Sequence, residues 1–271
     1  MAVKRVLYDH KTAYPDDYIT VVSATGVMQR LYLRIGVDNV NDLKMRIKEA
    51  DKAFSHGSYA YGDGKVESRK IKLSCHIRGR DQRDHDRQYN ELISLLAQRA
   101  YSLRLARADR EYHIAGLTDV KQKWIKGFKW NWSDVDITLL LTDPFTYATA
   151  DTVQNIEFSE AQTDAAISLY NDSSIDVPLI IEFSPLEGQA MDNVKIVHTD
   201  SGEQMQLTDA LLSYPHKVRI DGNVGTVRRD NDNSINTFSG VFLHALAGRN
   251  EFKFTGSAGR ISIIYRSRWF I

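Results

Sequence analysis

The sequence is short of most devices by which a chain announces chemistry. It has one cysteine, Cys75, in 271 residues, which excludes an intrachain disulfide framework and any zinc site built from several thiolates. It has no excess charge: 35 Lys+Arg stand against 35 Asp+Glu. That balance argues against a strongly cationic nucleic-acid binder and leaves room only for a local basic face. No apolar run approaches the roughly 18 residues of a membrane-spanning helix; the longest, such as Leu139-Leu140-Leu141, are strand-sized. The first residues, Met1 to Asp9, interrupt their apolar positions with Lys4 and Arg5 too early for a signal-peptide core.

The usual catalytic and ligand patterns are missing too. The eight histidines are scattered, with no pair at helical metal spacing around a glutamate. His85, in Arg83-Asp84-His85-Asp86-Arg87, reads as a solvated residue at a helix start. Asp230-Asn231-Asp232-Asn233-Ser234 opens like a calcium loop, but Ile235 stands where the sharp turn needs glycine and Val241 where a bidentate glutamate is needed. A hairpin tip accounts for it better. Gly62-Asp63-Gly64 lacks the third glycine of a dinucleotide fingerprint and precedes a strand, so it cradles no phosphate. There is no Gly-x-Ser-x-Gly elbow. Asn131-Trp132-Ser133 and Asn171-Asp172-Ser173 match the glycosylation pattern by chance. No catalytic, cofactor-binding or metal-ligating residue is assigned, and the chain is not expected to be an enzyme.

What is present is a globular composition, 42% hydrophobic and 26% charged, in a length that suits one large or two medium domains. The neutral total conceals a division. Residues 1–150 hold 25 Lys+Arg and 19 Asp+Glu, 25 − 19 = +6, and residues 151–271 hold 10 and 16, 10 − 16 = −6. At the same place Asp143-Pro144-Phe145-Thr146-Tyr147 ends a strand-like run, because proline removes a ladder donor and holds Asp143 extended. The expected domains are 1–150 and 151–271, with the boundary near 148–153.

In the first half the period is mostly two. Ile71, Leu73, Cys75 and Ile77 alternate with polar neighbours, as do Val135, Ile137, Leu139 and Leu141, the mark of half-buried strands. Cys75 falls on the apolar side and reads as a small core residue. Further strands begin at Tyr101 and Tyr112, another is expected from Trp124 to Trp132, and Gly62-Asp63-Gly64 is expected at a hairpin tip. Trp130 and Trp132 share parity on that run, and the four tryptophans are read as core rather than binding surface. Two stretches switch to helical spacing. Tyr89, Leu92, Ile93 and Leu96 predict an amphipathic helix capped by Asp84 or Asp86, and Leu43, Ile47, Ala50 and Phe54 predict a second over 42–55. The second half reads as all-β: seven or more short apolar runs separated by glycine- and Asn/Asp-bearing turns suggest a sandwich.

Taken in order, these features resemble the distal tail proteins of long-tailed, non-contractile bacteriophages. The likeness covers roughly 60–271. Its first part is the alternating strand Val135 to Thr142 running into the Asp-Pro-aromatic-x-Tyr turn at Asp143–Tyr147, preceded by the Gly62/Gly64 hairpin, the strand with Arg69 and Ile71, and the helix. Its second part is an asparagine turn from Asn171 to Pro178 followed by Leu179–Phe183, an Ile220-Asp221 hairpin, a Leu246-Ala247-Gly248-Arg249-Asn250 turn in which Ala247 replaces the family's proline, and a closing Tyr265-Arg266-Ser267-Arg268-Trp269. The helix over 42–55 is not part of that pattern and reads as an insertion at an interface.

The resemblance implies a mainly β chain: a tail-tube-like β-sandwich or open barrel with a flanking helix, then a galectin-like β-sandwich. It implies a structural role in the virion, at the phage tail tip, as a homohexameric baseplate hub. The first domains would surround a channel for transient passage of DNA, with the second domains at the periphery. The implied partners are other copies of the chain, the tail tube protein, tail-tip or baseplate proteins, a receptor-binding protein and host-surface carbohydrate; no cofactor is implied. In a closed ring, faces of opposite charge on one chain can pair between neighbours. The competing reading is a carbohydrate-binding host-adhesion module in the second sandwich, which a galectin-like fold alone does not establish.

Overall fold

The computed structural model describes residues 4–5, 18–32, 36–38, 42–105, 110–127 and 130–270. Most of the first nine residues, read above for a leader segment, lie outside that set. The chain divides into two compact units, Met1–Thr149 together with Phe270–Ile271, and Ala150–Trp269. Both are built mainly of β-strands, and α1 (Gln82–Leu96) is the α-helix among the described residues.

In the first unit one sheet runs in the order Lys4–Arg5, Met28–Tyr32, Tyr18–Val22, Tyr101–Leu105, Arg110–Ile114, Thr146–Ala148. A second runs Gly116–Trp124, Trp132–Leu141, Arg69–Arg78, Gly36–Asp38. Ile71, Leu73, Cys75 and Ile77 meet Val135, Ile137, Leu139 and Leu141 in one core with Ile19, Val21, Leu103 and Ile114. The alternation read from the sequence is therefore a true inside–outside pattern, since successive strand residues point to opposite faces.

Helix α1 forms where expected and starts earlier. Its N-cap is Asp81, whose carboxylate accepts the Asp84 N–H at 2.8 Å, in place of Asp84 or Asp86. Its buried stripe runs His85, Gln88, Leu92, Leu95 and Leu96, so the first two turns pack inward through one polar residue each. Gly79 permits this: a Cβ there would stand 2.4 Å from the His85 nitrogen.

Residues 42–55 are not helical. Met45–Asp51 pairs antiparallel with Ser58–Val66 as a separate two-stranded sheet. The spacing of Leu43, Ile47, Ala50 and Phe54 fits a helix, but an amphipathic helix requires a face to bury, and every residue of Met45–Asp51 is exposed. Gly62-Asp63-Gly64 is not the tip either; it lies within Ser58–Val66 at a register shift opposite Met45–Ile47. Gly62 has φ 137°, and a Cβ there would lie 2.0 Å from the Arg46 carbonyl oxygen, so the bulge requires glycine.

The run expected from Trp124 to Trp132 is likewise two strands and a turn. Gly116–Trp124 ends, the chain reverses, and Trp132–Leu141 returns beside it with Trp124 opposite Ser133. Positive φ at Gly127 and Trp130 makes the reversal, which breaks the parity that would have put Trp130 and Trp132 on one face.

The second unit is a sandwich of two antiparallel sheets. One is ordered Thr152–Phe158, Gly259–Tyr265, Ile180–Pro185, Val218–Asp221, Thr226–Arg229, Asp232–Asn233; the other Gln162–Asn171, Gly248–Gly256, Asn193–His198, Gln204–Thr208, Phe238–Gly240. Their inner faces share a core with Ile181, Phe183, Ile261 and Ile263 from the first and Ile167, Val194, Phe252 and Phe254 from the second. The mainly β fold expected from the sequence is present in both units.

Candidate assembly surfaces

The residues able to do chemistry are occupied structurally. Cys75 is fully buried, and burial with the nearby Asp136 carboxylate pushes its thiol up to about 12. A thiol this far from its thiolate is a poor nucleophile. A thiol-reactive dye added to the native chain should label less than a tenth of it, rising to one dye per chain in denaturant; rapid native labelling would contradict the packing.

His85 corrects the sequence reading, since it is buried rather than solvated. Its Nε2 shares a 2.7 Å hydrogen bond with Ser133 Oγ, and its Nδ1 lies 3.2 Å from Asp86 Oδ1. Carboxylate, imidazole and hydroxyl stand in the order of a serine-hydrolase triad. Ser133 is fully buried on the core side of its strand, however, and its oxygen also accepts from Gln122 Nε2 at 3.2 Å. A nucleophile sealed on the core side cannot meet a substrate. The group pins the start of α1 to the strand Trp132–Leu141 instead. Trp124 packs 4.6 Å from the His85 ring and Trp130 meets Trp124 edge-on at 5.3 Å. Trp130 is itself 60% exposed, so the tryptophans cover this pin more than they fill a core.

Loop 230–234 makes a tight reversal. Asp230 sits at φ 52° and Arg229 pairs with Asp232 across the turn, as the hairpin reading expects. The Asp230 carboxylate is taken by His216 Nδ1 at 2.8 Å and the Lys217 N–H at 3.1 Å. Among the described residues no three His, Cys, Asp or Glu side chains gather to hold a metal ion.

The residues that carry the family resemblance turn out to fasten turns. Asp143 accepts the Phe145 N–H at 3.2 Å and is hydrogen-bonded by the Tyr147 hydroxyl, whose ring stacks on His113 at 4.3 Å. Arg69 donates to the carbonyls of Pro144 and Phe270 at 2.8 and 2.9 Å. In the second unit the fully buried Asn171 donates to the carbonyls of Ile175, Ala245 and Leu246 at 3.2, 3.0 and 3.1 Å and accepts the Ser173 N–H. Asn250, also fully buried, accepts the Leu246 N–H at 2.7 Å, donates to the carbonyls of Leu246 and Gly248 and bonds His198. At the C-terminal end Ser267 donates to Asp172 at 2.5 Å, Arg268 to the Asp176 carbonyl and Trp269 to the Asp172 carbonyl. Asn131, in one of the glycosylation-like triplets, spends its amide on the Gly79 carbonyl.

What remains open to partners is surface. The hairpin of Met45–Asp51 and Ser58–Val66 exposes Ile47, Tyr59 and Tyr61 at 57%, 64% and 54%, and Phe54 at its tip is fully exposed. The charge division follows the units: residues 150, 270 and 271 carry no charged side chain, so the +6 and −6 of the halves belong to the units as they fold. The apolar spacing of this hairpin mimics a helix, which hides it in the sequence. The exposure of those residues was not legible without pairing partners.

No family model matches the chain, and no curated protein matches it. Among solved structures it is similar to the crystal structure of the SPP1 Dit protein, described as a paradigm of the hub adsorption apparatus in phages infecting Gram-positive bacteria. The two share 11% identity, with a TM-score of 0.73 over 92% of this chain and 98% of that one. The resemblance to phage distal tail proteins drawn from turn motifs is thereby borne out in three dimensions: this chain has the fold of the SPP1 Dit protein.

Proposed function

We propose that the chain is a structural subunit of a phage tail hub, forming a hexameric ring at the tail tip that joins the tail tube to tip or baseplate proteins and lets DNA through its channel. The observation that carries this reading is the fold match to a hub protein over nearly the whole of both chains. In this reading residues 1–150 are the tail-tube-like, ring-forming domain and 151–271 the galectin-like peripheral one. The +6 and −6 units supply complementary surfaces for subunits repeated around a closed ring. The sealed Ser133–His85 pair and the buried Cys75 thiol fit a role without catalysis.

Mass photometry and negative-stain imaging of the purified chain test the reading. A six-fold ring is expected, loosening as salt rises because exposed ion pairs are screened. A monomer at every concentration would overturn it. A ring indifferent to salt would remove the charge division from assembly.

Adhesion to carbohydrate gains no support from the outer face of one sheet of the second unit. On the sheet that begins with Thr152–Phe158, outward polar groups pair with each other, as in Glu157–Arg260 at 2.7 Å, Glu182–Arg219 at 2.5 Å and Asn155–Ser262 at 2.6 Å. A glycan array is expected to be silent.

A further inference from the structure

Thr152–Phe158 ends one sheet of the second unit, and its outer edge meets no strand among the described residues. An open edge is a template for a further strand, and proteins blunt such edges by shortness, bulges, proline or charge. The other end strands of this unit are blunted. Asp232–Asn233 and Phe238–Gly240 are two and three residues long. Gln162–Asn171 is bulged between Gln162 and Ala165, and its Ser168 carbonyl accepts from Gln154 Nε2 at 3.1 Å. Thr152–Phe158 has none of these devices. Its seven residues run in unbroken register with Gly259–Tyr265 and include no proline, lysine or arginine. Its one charge, Glu157, is already held by Arg260 at 2.7 Å.

The same edge leaves core side chains unfinished. Ile156 and Phe158 pack against the sandwich core, Phe158 stacked on Phe254 at 5.1 Å, yet both are only half-buried. A strand added at this edge would complete their burial. It would need apolar residues at alternate inward positions and few charges. The exposed end strands of the first unit do not fit: Gly116–Trp124 carries Asp119, Lys121 and Lys123, and Met45–Asp51 carries Arg46, Lys48, Glu49 and Asp51. Thr152–Phe158 itself does fit, with Ile156 and Phe158 inward and Val153, 52% exposed, on the other face beside neutral Asn155.

We propose that Thr152–Phe158 pairs antiparallel with the same strand of a second copy, about a two-fold axis at Asn155, so that two second units share one continuous sheet. In that register Val153 faces Glu157, Gln154 faces Ile156 and Thr152 faces Phe158, and no like charges oppose along the strand. Facing residues share a face of the sheet, so Ile156 and Phe158 stay on the inner side in both copies. This contact goes beyond the ring. Neighbours in a ring meet heterologously, whereas this contact uses one surface twice.

The full chain offers a clean test, because its one native thiol, Cys75, is sealed in the core of the first unit. Asn155→Cys and Val153→Cys each add one exposed thiol to the strand, and diamide is the oxidant. At the axis the two Asn155 Cα atoms would stand about 4.5 or 5.5 Å apart, within disulfide range. The two Val153 positions would be offset by about 13 Å along the strands, beyond that range. Asn155→Cys should therefore give at least about tenfold more covalent dimer than Val153→Cys. Salt should raise that yield, because it screens the repulsion between two −6 units, whereas it should loosen the ring. Equal crosslinking at both positions, none at either, or a yield that falls with salt would overturn the contact. Mass photometry of the same samples keeps the two readings apart. Six-fold rings without the Asn155→Cys crosslink would leave the ring standing and remove this contact, and the crosslink in a chain that never exceeds a dimer would do the reverse.

Discussion

Replacing Asn171 by alanine should destabilise the second unit by about 3–5 kcal/mol, since each buried backbone group left unpaired costs about 1–3 kcal/mol. Three carbonyls, of Ile175, Ala245 and Leu246, and the Ser173 N–H depend on this one side chain. A loss of that size is a large share of the roughly 5–15 kcal/mol that holds a domain together. Asn171→Asp keeps the shape yet exchanges two N–H donors for a carboxylate facing carbonyl oxygens, so it should be at least as damaging. Urea unfolding followed by hydrogen exchange, read separately on each unit, measures both. The first unit should be unaffected. A variant within about 1 kcal/mol of wild type, the range of an ordinary solvated hydrogen bond, would mean that water replaces the amide and that Asn171 fastens nothing.

Leu92→Ala should cost the first unit about 2–5 kcal/mol, the range for a buried leucine truncated to leave a cavity. Leu92 is fully buried in the middle of α1, one turn from Leu95 and Leu96, against a sheet whose inner face is Ile71, Leu73, Val135 and Ile137. Glu91, beside it on the exposed face, supplies the control: Glu91→Ala should change stability by less than about 0.5 kcal/mol. The same exchange experiment should show α1 opening at far lower denaturant in Leu92→Ala. Equal effects at 91 and 92 would mean the helix does not dock through this face.

The contrast between 91 and 92 shows which parts of the fold were legible in the sequence. Leu92, Val135 and Ile71 obey period rules because burial on one side of a helix or strand is decided by neighbours a few residues away. His85 breaks the rule for a physical reason. It is polar, so periodicity assigns it to water, yet Ser133 satisfies its ring across 48 residues of chain. Sequence spacing does not register a partner that distant. Residues 42–55 fail in the opposite way, because they have the helical period without a surface to bury it on. The turn motifs were legible for a different reason. Asp143, Asn171, Asp221 and Asn250 satisfy backbone groups within four residues of themselves, and side chains that bond locally restrict which residue types fit. That locality explains how a fold could be read at 11% identity.

The same hairpin sets a limit on how the subunit can be handled. Two strands with an open backbone edge each, and a phenylalanine in water between them, form a template for indiscriminate strand addition whenever free chains are crowded. Charged side chains of both signs are spread along it, among them the pairs Lys44–Glu67 at 3.0 Å and Arg46–Asp63 at 2.9 Å, and an edge dressed with charge is costly to bury against another strand. These charges then serve as gatekeepers, because a second hairpin adding to the edge would have to strip water from them. Replacing Lys44, Arg46, Asp63 and Glu67 together by alanine should lower the concentration at which the chain begins to scatter light.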